Sequence, residues 1–180
     1  PPAAPMSASP VIEIVDSLAT VPPAAWDRLA GGHPLLSHAF LHAMHESGAA
    51  CEDTGWAPRY LLLRDGTDLR GALPLYLKSH SYGEYVFDWA WADAWSRAGR
   101  HYYPKLLSAI PFTPVTGLRF LAAPGIDRAA IVKALGQALR DLCDEHEISS
   151  VHVNFCTEEE GRILAQAGPD HDFVERRAQA

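Results

Sequence analysis

Cysteine is scarce in this chain: Cys51, Cys143 and Cys156 stand far apart and are odd in number. A disulfide framework needs a denser, even set, and no C-x-x-C pair is present to build a structural zinc site. The chain therefore suits a reducing compartment, the cytoplasm. Cys143, set among apolar residues of a predicted helix, reads as packing. Basic runs are equally short. Nothing longer than Arg176-Arg177 occurs and the formal net charge is −7, which excludes broad nucleic-acid binding, since that needs a basic surface to neutralise phosphates. No apolar stretch approaches the roughly 18 to 20 residues of a membrane-spanning helix. The opening PPAAPMSASP has neither the basic region nor the apolar core of a secretory signal, and reads as a disordered lead-in over residues 1–10. Catalytic signatures are missing too. There is no G-x-S-x-G for a serine hydrolase and no H-E-x-x-H for a zinc protease. His38 and His42 lie four apart and His45 three further on, a chelating spacing, but Ser47-Gly48 follow His45-Glu46 and no second ligand completes the motif. No metal is expected.

The chain is rich in one thing, and richly so in one place. Of its 5 Trp, 6 Tyr and 6 Phe, eight rings (Tyr82, Tyr85, Phe87, Trp89, Trp91, Trp95, Tyr102 and Tyr103) fall between positions 82 and 103. Lys78, His80, Glu84, Asp88, Asp93, Arg97, His101 and Lys105 are interleaved with or flank them. Rigid rings alternating with ionisable groups suit a site that stacks a ligand and fixes its polar groups. The same pattern also suits a core strand followed by a helix with a Trp-rich buried face. Tyr82, Trp89, Trp91, Asp93 and Tyr103 are candidate ligand contacts, with Glu84, Asp88 and Trp89 facing a common pocket. Lys78 and Lys105 have the charge to hold a carboxylate or phosphate. His80 and Glu84, flanking Tyr82-Gly83, are the best-placed pair for proton transfer.

Periodicity and punctuation give the elements. Val11–Leu18 alternates as a strand. Pro22-Pro23 opens a helix that Gly31-Gly32 ends, and Ser37 caps a second one closed by Gly48. Two apolar runs, 59–64 and 69–77, flank Asp65-Gly66 and predict a hairpin; Pro74 in the second implies an edge or a bulge. Residues 88–98 can form a helix or an irregular loop. A short helix is expected over 103–110, a strand over 115–121, a long helix over 126–147 capped by Asp127, a strand over 151–155, and a capping-box helix over 157–167 started by Thr157 and Glu160. The sum is an α/β fold, a mixed sheet flanked by helices, occupying 11–168 with a polar tail over 169–180. The segment 115–155 reads as a right-handed strand–helix–strand unit.

The strings GWAPRYLLLRDG (55–66), GALPLYLKSHSYGEYVFDWAWADAW (71–95), YYPKLLSAIPFTPVTG (102–117) and VHVNF (151–155) resemble the FemAB-like, or peptidoglycan biosynthesis/recognition, family of predicted N-acyltransferases. The resemblance spans roughly 35–167, and the order of elements resembles that of the Gcn5-related acetyltransferases. It implies acyl or aminoacyl transfer to an amine on a small polar acceptor such as a cell-wall precursor, with an acyl-CoA or aminoacyl donor. Members of this kind have two acetyltransferase-like halves, so the chain is expected to be an incomplete copy with an open sheet edge and to self-associate. The alternative is a non-catalytic recognition or scaffold half. One departure stands out. The acetyltransferase phosphate loop is Q/R-x-x-G-x-G/A, whereas the equivalent LAAPGIDR (121–128) has one glycine, a proline and Asp127 where an anion would approach. This loop is expected not to bind CoA.

Overall fold

The computed structural model describes residues 10–86 and 88–167. The expected lead-in other than Pro10, the polar tail and Phe87 lie outside the described residues. Among these residues lie eight strands and five α-helices, in the order β1 (Val11–Val15), α1 (Pro23–Ala30), α2 (His38–Glu46), β2 (Trp56–Pro58), β3 (Tyr60–Asp65), β4 (Asp68–Leu73), β5 (Tyr76–Lys78), α3 (Trp89–Arg97), β6 (Lys105–Ser108), β7 (Leu121–Ala122), α4 (Arg128–Glu145), β8 (Val151–Val153) and α5 (Glu158–Gln166). The fold is α/β, as the sequence implies, but the strands divide into two four-stranded sheets, β1-β3-β4-β7 and β2-β5-β6-β8.

One long hairpin joins the two. Asp65-Gly66 makes its turn, and its arms pass from β3–β4 in the first sheet to β2–β5 in the second. The crossing is at Arg59 and at Pro74-Leu75, where the Arg59 N–H still donates to the Leu75 carbonyl at 2.8 Å. Pro74 lacks the N–H that a continuous ladder would need, and in place of the expected edge or bulge the run 69–77 divides there into β4 and β5, which lie in different sheets. The apolar residues of this hairpin serve two cores. Trp56, Tyr60, Leu62 and Tyr76 pack with Trp26 and Leu29 of α1 and Leu41 of α2. Leu61, Leu63, Leu73 and Leu75 pack with Leu106 of β6 and against Ile131, Leu135 and Leu139 of α4. Successive residues of β3 feed opposite faces, the period of two expected of a strand buried on both sides.

Two elements differ from expectation. Residues 105–108 form a strand rather than a helix, antiparallel to β5 and parallel to β8. All four are buried, and a run that is apolar or buried on every side carries no period to separate strand from helix. The parallel pair is thus β6 with β8, not 115–121 with 151–155. Residues 115–120 form no strand because side chains serve their backbone. Glu160 accepts the Arg119 and Phe120 N–H groups, both at 3.0 Å through Oε1. The wholly buried Arg119 donates to the carbonyls of Val115 (2.7 Å), Leu118 (3.0 Å) and Asn154 (3.0 Å). Satisfied this way, the backbone has no need of a ladder.

The helix starts follow the sequence closely. Asp127 accepts from the Ala129 N–H at 2.9 Å. Thr157 and Glu160 form the reciprocal capping box, at 3.2 and 3.1 Å. His38 is buried, with Nε2 2.9 Å from the Leu18 carbonyl. Among the described residues no helix is long and apolar enough to cross a membrane, and no group of three or more His, Cys, Asp or Glu side chains is placed to hold a metal.

Candidate functional site

Trp56, Lys78 and Lys105 stand in one row across β2, β5 and β6, each register partner of the next. Two lysines directly opposite one another on a buried sheet face repel. The loop between them resolves the conflict by carrying two carboxylates down to that face, Glu84 and Asp88. Its course depends on Gly83, at φ +80°, where a Cβ would lie 2.5 Å from the Phe112 ring. Only glycine permits both that backbone and that approach. Phe112 in turn packs on Trp56, ring centroids 5.2 Å apart.

Lys105 is the centre of the cluster. Its Nζ donates to Glu84 Oε2 at 2.8 Å, to Ser81 Oγ at 3.1 Å and to Asp88 Oδ2. Lys78 Nζ lies 4.0 Å from Glu84 Oε1, donates to the Tyr82 carbonyl at 3.3 Å and sits 3.8 Å over the Trp56 ring. Asp88 also accepts from Ser81 Oγ and from the Tyr102 hydroxyl, the latter at 2.8 Å. The network reaches outward from there: Tyr102 OH is 3.2 Å from His152 Nε2, and Tyr103 OH is 2.6 Å from Ser81 Oγ. The two lysines and two carboxylates balance in charge and have side chains at most 4% exposed.

Burial acts unequally on Lys78, Glu84, Asp88 and Tyr102. It pushes the Lys78 ammonium down to about 7, against the opposing pull of Glu84. It raises the Glu84 carboxyl, the Lys105 hydrogen bond only partly offsetting it. For Asp88 burial also acts upward, but the hydrogen bonds from Lys105, Ser81 and Tyr102 outweigh it and hold the carboxyl at about 2. Burial and the bond to Asp88 raise the Tyr102 phenol. Two carboxylates in one cluster are thus driven in opposite directions, the arrangement that separates a proton carrier from a fixed charge. Glu84 Oε1 is buried with no hydrogen-bond partner, an acceptor with capacity to spare.

The structure brings together Lys78, Glu84, Asp88, Tyr103 and Lys105 of the residues singled out in the sequence. Tyr82 joins through its carbonyl, which also accepts from the Trp56 indole at 3.2 Å, while its ring is 69% exposed. His80 lies beside the cluster. Its Nδ1 accepts from the Tyr82 N–H at 3.2 Å, and its ring packs on Gly55, whose φ of +71° and closeness to Nε2 leave no room for a Cβ. Burial and the nearby Lys78 lower its basicity. Trp89 and Trp91 are exposed on α3, and Asp93 pairs there with Arg97 at 3.1 Å. Glu84 and Asp88 therefore face inward, and Trp89 outward. Ser81, Trp56, Tyr102 and His152 complete the network without having been singled out for it. Tyr102 was visible as part of the aromatic run, but nothing local marks Ser81 or His152.

The class of structure is an α/β fold with a split sheet and, on its second sheet, a buried, charge-balanced cluster next to an aromatic-rich segment. The chain belongs to the FemAB-like family of peptidoglycan biosynthesis/recognition, whose profile matches residues 17–177. That match reaches further in both directions than the strings that first suggested the resemblance. Neither curated proteins nor solved structures yield a match.

Proposed function

We propose that the chain is a transferase that moves an acyl or aminoacyl group onto an amine of a small polar acceptor, a cell-wall precursor being the candidate its family suggests. The observation that carries the reading is the divergence of Glu84 and Asp88 within one buried cluster. Glu84, with its carboxyl raised by burial and Oε1 unoccupied, is the group to accept the proton an attacking amine must lose. Asp88, held ionised, pairs with Lys105 and fixes its position. Lys78 is assigned to donate to the negative charge that develops on the acyl oxygen, and Lys105, whose three N–H groups are committed to Glu84, Ser81 and Asp88, to holding the carboxylates in place. Tyr82, Trp89, Trp91, Asp93 and Tyr103 are assigned to acceptor contact, and His80 to supporting the loop that carries Glu84. Donor classes are acyl-CoA and aminoacyl esters, and the setting is the cytoplasm.

A second reading is a recognition module that binds the same acceptor without chemistry. The exclusion of all four charged side chains from solvent favours it, since a sealed neutral cluster is a rigid platform for the rings above. One experiment separates the two. The chain is incubated with acyl-CoA and aminoacyl donors and amine-bearing cell-wall precursors, and acceptor mass is followed. Transfer that falls about 100-fold in Glu84→Gln supports the transferase. Acceptor binding with no mass gain from any donor supports recognition.

A further inference from the structure

Where the long hairpin leaves one sheet for the other, a second site opens, away from the lysine–carboxylate cluster. The two sheets part at Arg59, and the end of α4 closes the gap only partly, leaving a cavity of about 300 Å³. Leu77 and Leu106, cross-strand partners on β5 and β6, form its floor. Leu142 and Ile148, at the end of α4 and just beyond it, form its wall. Its two polar side chains that ionise are Arg59 and His146. Arg59 also borders a shallower, open depression of about 460 Å³ with Glu13 and Asp16 on its rim. It therefore stands at the line between an apolar hole and a polar surface.

The state of Arg59 is what makes this a site. Its side chain is half-buried, yet among the described residues it makes no ion pair. Nη1 donates to the carbonyl of Pro58 at 2.6 Å, and a guanidinium has four further N–H donors in a planar fork. Such a fork beside an apolar cavity fits an oxyanion at the end of a hydrocarbon chain. The charge of that oxyanion is limited by its surroundings. Glu13, though engaged by Arg64 at 2.5 Å, and Asp16 both add negative potential to the rim. A single negative charge is tolerated there better than the near-double charge of a phosphate monoester.

We infer that the cleft between the sheets binds a medium-chain aliphatic carboxylate, its chain lying on Leu77, Leu106, Leu142 and Ile148 and its carboxylate paired with Arg59. The volume is at the small end of ligand cavities and suits a chain of about eight carbons, each methylene adding favourable apolar burial. The inference is independent of the transferase reading, which concerns a different face of β5 and β6.

Calorimetry on the full chain tests it with octanoate, octyl phosphate and octanol, each below its aggregation limit. Octanoate is expected to bind at one site with a Kd below about 1 mM, and at least tenfold more tightly than octanol. Arg59→Gln, which keeps the backbone bond to Leu75, is expected to remove that preference. Leu142→Trp, which fills the cavity from its half-buried rim, is expected to abolish binding of all three. Equal binding of octanol and octanoate, tighter binding of octyl phosphate, no saturable octanoate binding, or unchanged binding in either variant would each overturn the assignment.

Discussion

Replacing Lys105 by Met tests whether the charge cluster is the unit described. Lys105 is fully buried and is the cation in contact with both Glu84 and Asp88. Met fills nearly the same volume along β6, so packing of the stem is retained and the change is chiefly electrostatic. Its removal leaves Asp88 with the Ser81, Tyr102 and Tyr103 hydroxyls, but leaves Glu84, among the described residues, with Lys78 at 4.0 Å. Breaking a buried ion pair from one side costs about 3–5 kcal/mol, because a desolvated charge is stranded. In a domain of this size each kcal/mol shifts Tm by about 2–4 °C, so a fall of roughly 6–20 °C is expected. Adding Glu84→Gln to the Met variant removes the stranded charge and should restore about 1–3 kcal/mol. Glu84→Gln alone should therefore cost more in the wild-type background than in the Met background. Urea unfolding of the four proteins, followed by fluorescence of the five tryptophans, provides the cycle. A Lys105→Met loss below about 1 kcal/mol, or simple additivity of the two substitutions, would refute the claim that these groups act together.

Stability against pH should show the separate titrations of three groups in the cluster. Asp88, depressed from 3.8 to about 2, contributes stability above pH 4 that is lost as pH falls from about 4 to 2, about 2 kcal/mol in total. Glu84, raised from 4.5, works oppositely: the native chain holds its proton longer, so its share of stability declines as pH rises above 4.5. Lys78, lowered from 10.5 to about 7, gives up its proton first in the native state, so its contribution grows from about pH 7 to 10.5. Flat urea midpoints over both the 2–4 and 7–10 windows would contradict these assignments. The 121–128 loop should show no CoA binding in calorimetry, since Asp127 already occupies the α4 N-terminus through Ala129; micromolar affinity lost on changing Gly125 would show otherwise. Self-association is expected through a sheet edge, for which the outer strand β8 is a candidate; light scattering giving a strictly monomeric mass at about 100 μM, well above an ordinary dimer Kd, would remove it.

Local signals read true wherever they were short-range. Asp127, the Thr157–Glu160 box and the Asp65-Gly66 turn are each decided by a few neighbouring residues, and each stands in the structure as the sequence implies. The failures share a cause in long-range partners. Lys105–Ser108 became a strand because β5 and β8 flank it, and 115–120 lost its strand because Glu160, some forty residues on, took over its N–H groups. The candidate site shows the same division. Its acidic and basic members were visible as a dense local run, but that Lys78 and Lys105 are register partners depends on a strand pairing that no spacing reveals. Ser81 and His152 matter only after that pairing exists.

The hairpin that runs through both sheets also governs how the molecule comes apart. Each sheet alone would be an independent unit of opening, with its own helices and its own core. Because the same two chain segments supply β3–β4 to one sheet and β2–β5 to the other, with the Arg59–Leu75 hydrogen bond at the crossing, neither can fray without tugging on its neighbour. Amide protons of Leu62 and Leu77, which lie in different sheets, should then exchange with deuterium through one shared opening event, at matching rates. The turn at Asp65-Gly66 brings these segments together at short range, making the hairpin a natural seed around which distant strands condense.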